Sequence, residues 1–182
     1  MAVLIEAISV VIRADALLAA FENEDDWIRF KQTVPNATLC ADEELIHVGF
    51  LTPHDAEQYV RRLESNGLRF VVNGSAKDIV VVDQLRGPTS PCDWIEFGSI
   101  PLNGDERKRV AACRLKGSTS NGLILPDGWT FESSLSCSHS FVPSDAVDKA
   151  LKFLRSEDGM DVYWSELSGK EVYIARTSGK PE

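Results

Sequence analysis

Leu45-Ile46-His47-Val48-Gly49-Phe50, followed by Thr52-Pro53-His54-Asp55-Ala56, is the stretch on which the fold turns. Its first half is β-rich, with Ile46, Val48 and Phe50 on one side and His47 and Gly49 on the other, so it reads as a strand with two distinct faces. Its second half is a helix start. Thr52 is a capping residue, Pro53 suits the first helical position, and Asp55 stands where a capping-box acid returns a bond. Ala56, Tyr59, Val60 and Leu63 follow the i, i+3, i+4, i+7 pattern, so one helical face packs on a sheet. Asn66-Gly67 ends the helix, because glycine accepts the left-handed conformation of a C-terminal stop. Leu68-Arg69-Phe70-Val71-Val72 and Asp78-Ile79-Val80-Val81-Val82 then read as strands, completing a β-α-β-β unit over residues 45–84.

Much of this unit recurs. Ser140-Phe141-Val142 leads into Pro143-Ser144-Asp145-Ala146, and a helix with Val147, Ala150, Leu151 and Leu154 on its apolar face is expected to end at Asp158-Gly159. Strands are expected at Met160-Asp161-Val162-Tyr163-Trp164 and Glu171-Val172-Tyr173-Ile174-Ala175. The offset is 145 − 55 = 90 at the helix starts and 170 − 77 = 93 at the lysines before the closing strands. So small a drift fits a degenerate duplication. The expected fold is therefore α+β, with mostly antiparallel sheets, helices on one face, and two β-α-β-β units with core segments 45–84 and 139–176. These lie in halves 1–98 and 99–182 of one compact globule. The alternative is a ferredoxin-like amino-terminal half (residues 2–73) with a β-rich carboxy-terminal half.

Working outward, residues 3–13 are rich in Val and Ile and read as a strand. Asp15 opens a helix that the acidic residues 22–26 interrupt before Trp27, Phe30 and Val34 resume it. Residues 37–40 and 45–51 flank a polar turn and suggest a hairpin. Further strands are expected at 92–97, 109–115, 123–125 and 129–131. At 182 residues the chain can bury a core without staples. A net charge of −9 argues against nucleic acid or an anionic membrane as partner, since both require clustered Lys and Arg. The amino terminus lacks a basic region, and Glu6 and Arg13 break its apolar run, so it reads as a strand rather than an export signal or membrane span. Cys40, Cys92, Cys113 and Cys137 have no short metal-ligand spacing, and reduced thiols in the cytoplasm are expected.

Strand parity selects the candidate site. If the 45–51 and 93–98 strands share one sheet, His47, Trp94 and Glu96 look out from its non-helical face. Because residues 79–82 are apolar on both sides, that face is partly covered and encloses a pocket. His47 and Glu96 there could hold a divalent metal, although two ligands are fewer than a catalytic metal takes. The loop at 83–94 adds Asp83, Gln84, Arg86 and Asp93 as candidate ligand-binding groups, with Arg86 suited to clamp a carboxylate or phosphate. Cys137 and His139, two apart on an expected strand, are a weaker pairing of thiol and imidazole. The order of elements over residues 45–98, with a His on its first strand and a Glu on its last, resembles the vicinal-oxygen-chelate enzymes in topology. That resemblance implies a metal-dependent lyase, isomerase or dioxygenase using His47 and Glu96. In the second copy His139 has the parity of Phe141, and no Glu follows Ala175 at the matching place. The leading functional expectation is thus a non-enzymatic protein that binds a small molecule or a protein partner. The metal-dependent enzyme comes second, and an acidic inhibitor or immunity-type protein third.

Overall fold

The computed structural model describes residues 1–23, 25–120, 122–138, 151–157, 160–165 and 170–175. Its architecture is α+β with mostly antiparallel sheets. The first sheet grows from β2 (Ile8–Arg13), an apolar strand buried on both faces. The helices α1 (Ala14–Ala19) and α2 (Asp25–Thr33) follow it, then the hairpin of β3 (Cys40–Ala41) and β4 (Leu45–Phe50). Next come helix α3 (Pro53–Ser65), the small hairpin of β5 (Val71–Val72) and β6 (Ser75–Ala76), and β7 (Ile79–Asp83) with the edge strand β8 (Gly87–Pro88). The strand order is β3-β4-β2-β7-β8, every neighbour antiparallel. β2 lies between β4 and β7, so α3 is the crossover of a split β-α-β. The order β3-β4-β2-β7 is that of a ferredoxin-like β-α-β-β-α-β unit. The alternative expectation therefore describes this region, with its strands at 8–83 in place of 2–73.

Alternation sorts the side chains of this sheet into two cores. Ile8, Val10, Ile12, Ile46, Val48, Phe50 and Ile79 pack against Leu17, Phe30, Ala56, Tyr59, Val60 and Leu63 of the helices. Val11, Leu45, Val80 and Val82 face the opposite way and are covered by a second sheet. That sheet runs β11-β1-β10-β9, where β1 is Ala2–Ile5, β9 is Ile95–Leu102, β10 is Asp105–Leu115 and β11 is Leu123–Ile124. It contributes Val3, Ile5, Ile95, Ala111 and Cys113 to the inter-sheet core. β9 crosses residue 98 and β10 pairs with β1, so this sheet draws on both expected halves. The chain passes from one sheet to the other at Ala7, which takes φ 45°. Gln84 holds that corner from both sides: its side-chain oxygen accepts the Ala7 amide at 2.8 Å, and its own amide donates to the Ala7 carbonyl at 2.9 Å.

α3 forms as its sequence dictates. The Thr52 hydroxyl accepts the Asp55 amide at 3.2 Å and lies 2.7 Å from the Asp55 carboxylate. Ala56, Tyr59, Val60 and Leu63 are all buried, and Gly67 stops the helix at φ 93°.

The second copy is corrected in its helix. Residues 139–150 lie outside the described residues, but Leu151–Glu157 is a strand, β12, where the end of a helix was expected. β12 pairs antiparallel with β13 (Met160–Ser165), and β13 with β14 (Lys170–Ala175), the two strands the sequence indicated. Asp158-Gly159, read as a helix stop, is equally a strong hairpin signal between two strand-competent segments. The 129–131 strand is also corrected. Phe131–Ser133 is a 3-10 turn leading into the short helix α4 (Leu135–Ser138).

Candidate functional site

β4 places His47 on the inter-sheet side, as parity required. The imidazole is 2% exposed, with Nε2 2.8 Å from the Ser9 hydroxyl and Nδ1 3.5 Å from Cys40 Sγ. The Ser9 hydroxyl in turn reaches the Glu6 carbonyl at 3.3 Å. Burial lowers the His47 pKa to about 4, so the ring is neutral at physiological pH. Burial, aided by Asp42, pushes the Cys40 thiol up to about 12, so its sulfur keeps its proton. In the Nε2–H tautomer, Nε2–H donates to Ser9 and Ser9 to the Glu6 carbonyl, while the thiol can donate to Nδ1 or to the Ile124 carbonyl 3.9 Å away. Such a row carries neither a thiolate nor an ion. A hollow of about 190 Å³ lies beside it, between His47, Gly49 and Thr38 on one side and Leu4 and the turn at Pro126-Asp127-Gly128-Trp129 on the other. That is below the roughly 300 Å³ at which ligand pockets begin.

Glu96 is not on this face. It stands on β9 next to Ile95, which points into the inter-sheet core, so Glu96 points away from it. Its carboxylate accepts a 2.6 Å bond from Arg114 Nε at a half-exposed position. The expectation that His47 and Glu96 share one face is thereby corrected: their strands belong to different sheets, and parity compares faces only within one sheet. Trp94 belongs to the inter-sheet core and donates its indole N–H to the Ala76 carbonyl at 3.1 Å. In the loop, the Asp83 carboxylate accepts the amides of Leu85 and Arg86 at 2.8 and 2.9 Å, and Gln84 is committed to Ala7. The Arg86 and Asp93 side chains are exposed. Cys137 lies in α4 rather than on a strand, and His139 lies outside the described residues.

A larger opening lies on the other side of the first sheet. Asp55, Gln58, Tyr59 and Arg62 succeed one another along α3 at i, i+3, i+4 and i+7. They face Thr33 at the end of α2, Pro35 and Asn36 just beyond it, and Phe50 and Leu51 at the end of β4. The cleft between them measures about 400 Å³, within the range of small-molecule sites. Its floor is the Phe50 ring, tilted against Tyr59 with centroids 5.3 Å apart. Tyr59 is 4% exposed, and its hydroxyl is buried with no hydrogen-bond partner, the one such side-chain atom among the described residues. Burial pushes that phenol up, and the nearby positive charge of Arg62 opposes the rise. The Arg62 guanidinium makes a long 3.4 Å bond to the Thr33 carbonyl and no ion pair among the described residues. Asn36 is already occupied, donating to the Gly49 carbonyl at 2.8 Å and accepting the Thr38 amide at 3.1 Å. The Asp55 carboxylate is held by the Thr52 hydroxyl.

Compared with known protein families, curated proteins and solved structures, the chain matches none. The site rests on its own geometry.

The sequence marked Tyr59 as a core residue through its helical spacing. A tyrosine in a core stripe carries a polar end that needs a partner, and this was the available signal. That the partner would be missing, and that Arg62 would stand beside it, depends on how α2 and β4 end near α3.

Proposed function

We propose that this protein is a non-enzymatic binder of a small molecule, and that the molecule sits in the cleft between α3, the end of β4 and the chain beyond α2. The observation that carries this reading is the buried Tyr59 hydroxyl without a partner at a 400 Å³ cleft. A buried hydroxyl left unsatisfied costs roughly 1–3 kcal/mol, and a ligand whose entry shifts the side chains sealing that hydroxyl from the cleft recovers part of it. The apolar floor of Phe50 and Leu51 and the few polar groups at one end match the general make-up of ligand sites. The buried row of Ser9, His47 and Cys40 is internally satisfied, which favours a structural role for it. The metal-dependent enzyme reading draws no support from geometry, since His47 and Glu96 do not converge.

A fragment screen followed by amide chemical shifts of the labelled protein tests the proposal. Hits are expected to move the resonances of Leu51, Gln58, Tyr59 and Arg62 together. A screen whose hits all map elsewhere, or that yields none, counts against it.

A further inference from the structure

We infer that the ligand class of this cleft is a small organic anion, a carboxylate on a short apolar body; this rests on the cleft being the ligand site. Arg62 is exposed at the cleft with no carboxylate of the protein paired to it among the described residues, and the unpartnered Tyr59 O–H is buried in the wall beside it. An oxygen between them can accept from both groups; a neutral carbonyl can do so too, but a carboxylate does so more strongly because of its charge. Guanidinium and carboxylate match in shape and can form two parallel bonds, stronger than those between neutral groups. Among the described residues Asp55 is the one acid on the cleft wall, and it does not occupy the same end. It precedes Arg62 by 62 − 55 = 7 residues, about 10 Å along the helix axis, and Thr52 engages its carboxylate. Phe50, Leu51 and Pro35 supply the apolar wall for the body of the ligand. Leu51 is 62% exposed, apolar surface that a bound molecule would cover.

Calorimetric titration of the full chain with benzoate and with benzamide, its neutral counterpart of the same shape, tests the class. Benzoate is expected to bind about two- to fivefold more tightly, the scale of an ion pair at an exposed guanidinium. Arg62→Gln is expected to remove that advantage by weakening benzoate more than benzamide, with the unfolding temperature unchanged. Equal affinities for the two compounds, with no effect of Arg62→Gln, overturn the anion assignment and leave the cleft as a site for neutral ligands. Failure of both compounds to bind, with no movement of the cleft resonances, overturns the anion assignment and the cleft reading together.

Discussion

His47 and Tyr59 are both polar rings driven into the interior by strand and helix periodicity, yet they differ in what meets them. His47 finds Ser9 and Cys40, whereas the Tyr59 hydroxyl finds no hydrogen-bond partner. The consequence for His47 is a pH dependence whose sign follows from its pKa of about 4, below the unfolded value of 6.5. Between these values the unfolded chain binds more protons than the folded one, so the stability held above pH 6.5 is lost as the pH falls towards 4. The span of 6.5 − 4 sets an upper size of roughly 3 kcal/mol. The stability advantage of the wild type over His47→Gln should therefore shrink by up to about that amount from pH 6.5 to pH 4 in urea titrations. An advantage independent of pH would show that the ring titrates normally in the fold. Trp94 fills the inter-sheet core, so Trp94→Ala is expected to lower stability by roughly 3–5 kcal/mol. It should leave fragment binding at the α3 cleft intact wherever the variant is folded. Lost binding in a folded Trp94→Ala protein would move the ligand to the other side of the sheet.

Among elements, the surest from sequence was α3, and it is the one that builds the cleft. Its cap, its apolar face and its glycine stop are all local features, readable without knowing any partner. Strand existence is nearly as legible: β4, β7, β10, β13 and β14 stand close to where alternation and β-branched residues put them, while β9 shares only residues 95–97 with the expected 92–97 strand and runs on to Leu102. Pairing was not. Nothing local to residues 45–84 says that β2 lies between β4 and β7, because that choice is made by burial of β2 on both faces. β12 was misread since apolar residues at i, i+3, i+4 and i+7 satisfy a helix, while the ladder to β13 is a non-local bond set that propensity does not weigh. The turn into β8 shows another such constraint. Gly87 has φ 81°, and a side-chain carbon there would stand 2.8 Å from the Phe97 ring of β9. Gly87→Ala is thus expected to destabilise the protein by more than the roughly 1 kcal/mol of an ordinary glycine substitution, measured by denaturant unfolding. A neutral Gly87→Ala would mean that the two sheets do not meet as closely as this there.

At the scale of the whole molecule, a sheet with helices on one face and a second sheet on the other leaves its non-helical side largely filled with side chains, with a hollow of about 190 Å³ beside His47. Strand parity points to the layer between the two sheets, whereas the larger opening lies on the helical side. The helix–strand junction, where α2 and β4 end, keeps the open volume. How far ligand binding and global stability are linked can be measured directly: a ligand at a hundred times its Kd adds about 2.7 kcal/mol to the folded state. The decisive comparison is denaturant unfolding of wild type and Tyr59→Phe, each without and with benzoate. With the Tyr59 hydroxyl unsatisfied in the free protein, Tyr59→Phe should match or exceed the wild type in stability without benzoate, and gain less from its addition. A Tyr59→Phe protein that is less stable by 1 kcal/mol or so without ligand, and equally stabilised by benzoate, would contradict the assignment of this cleft.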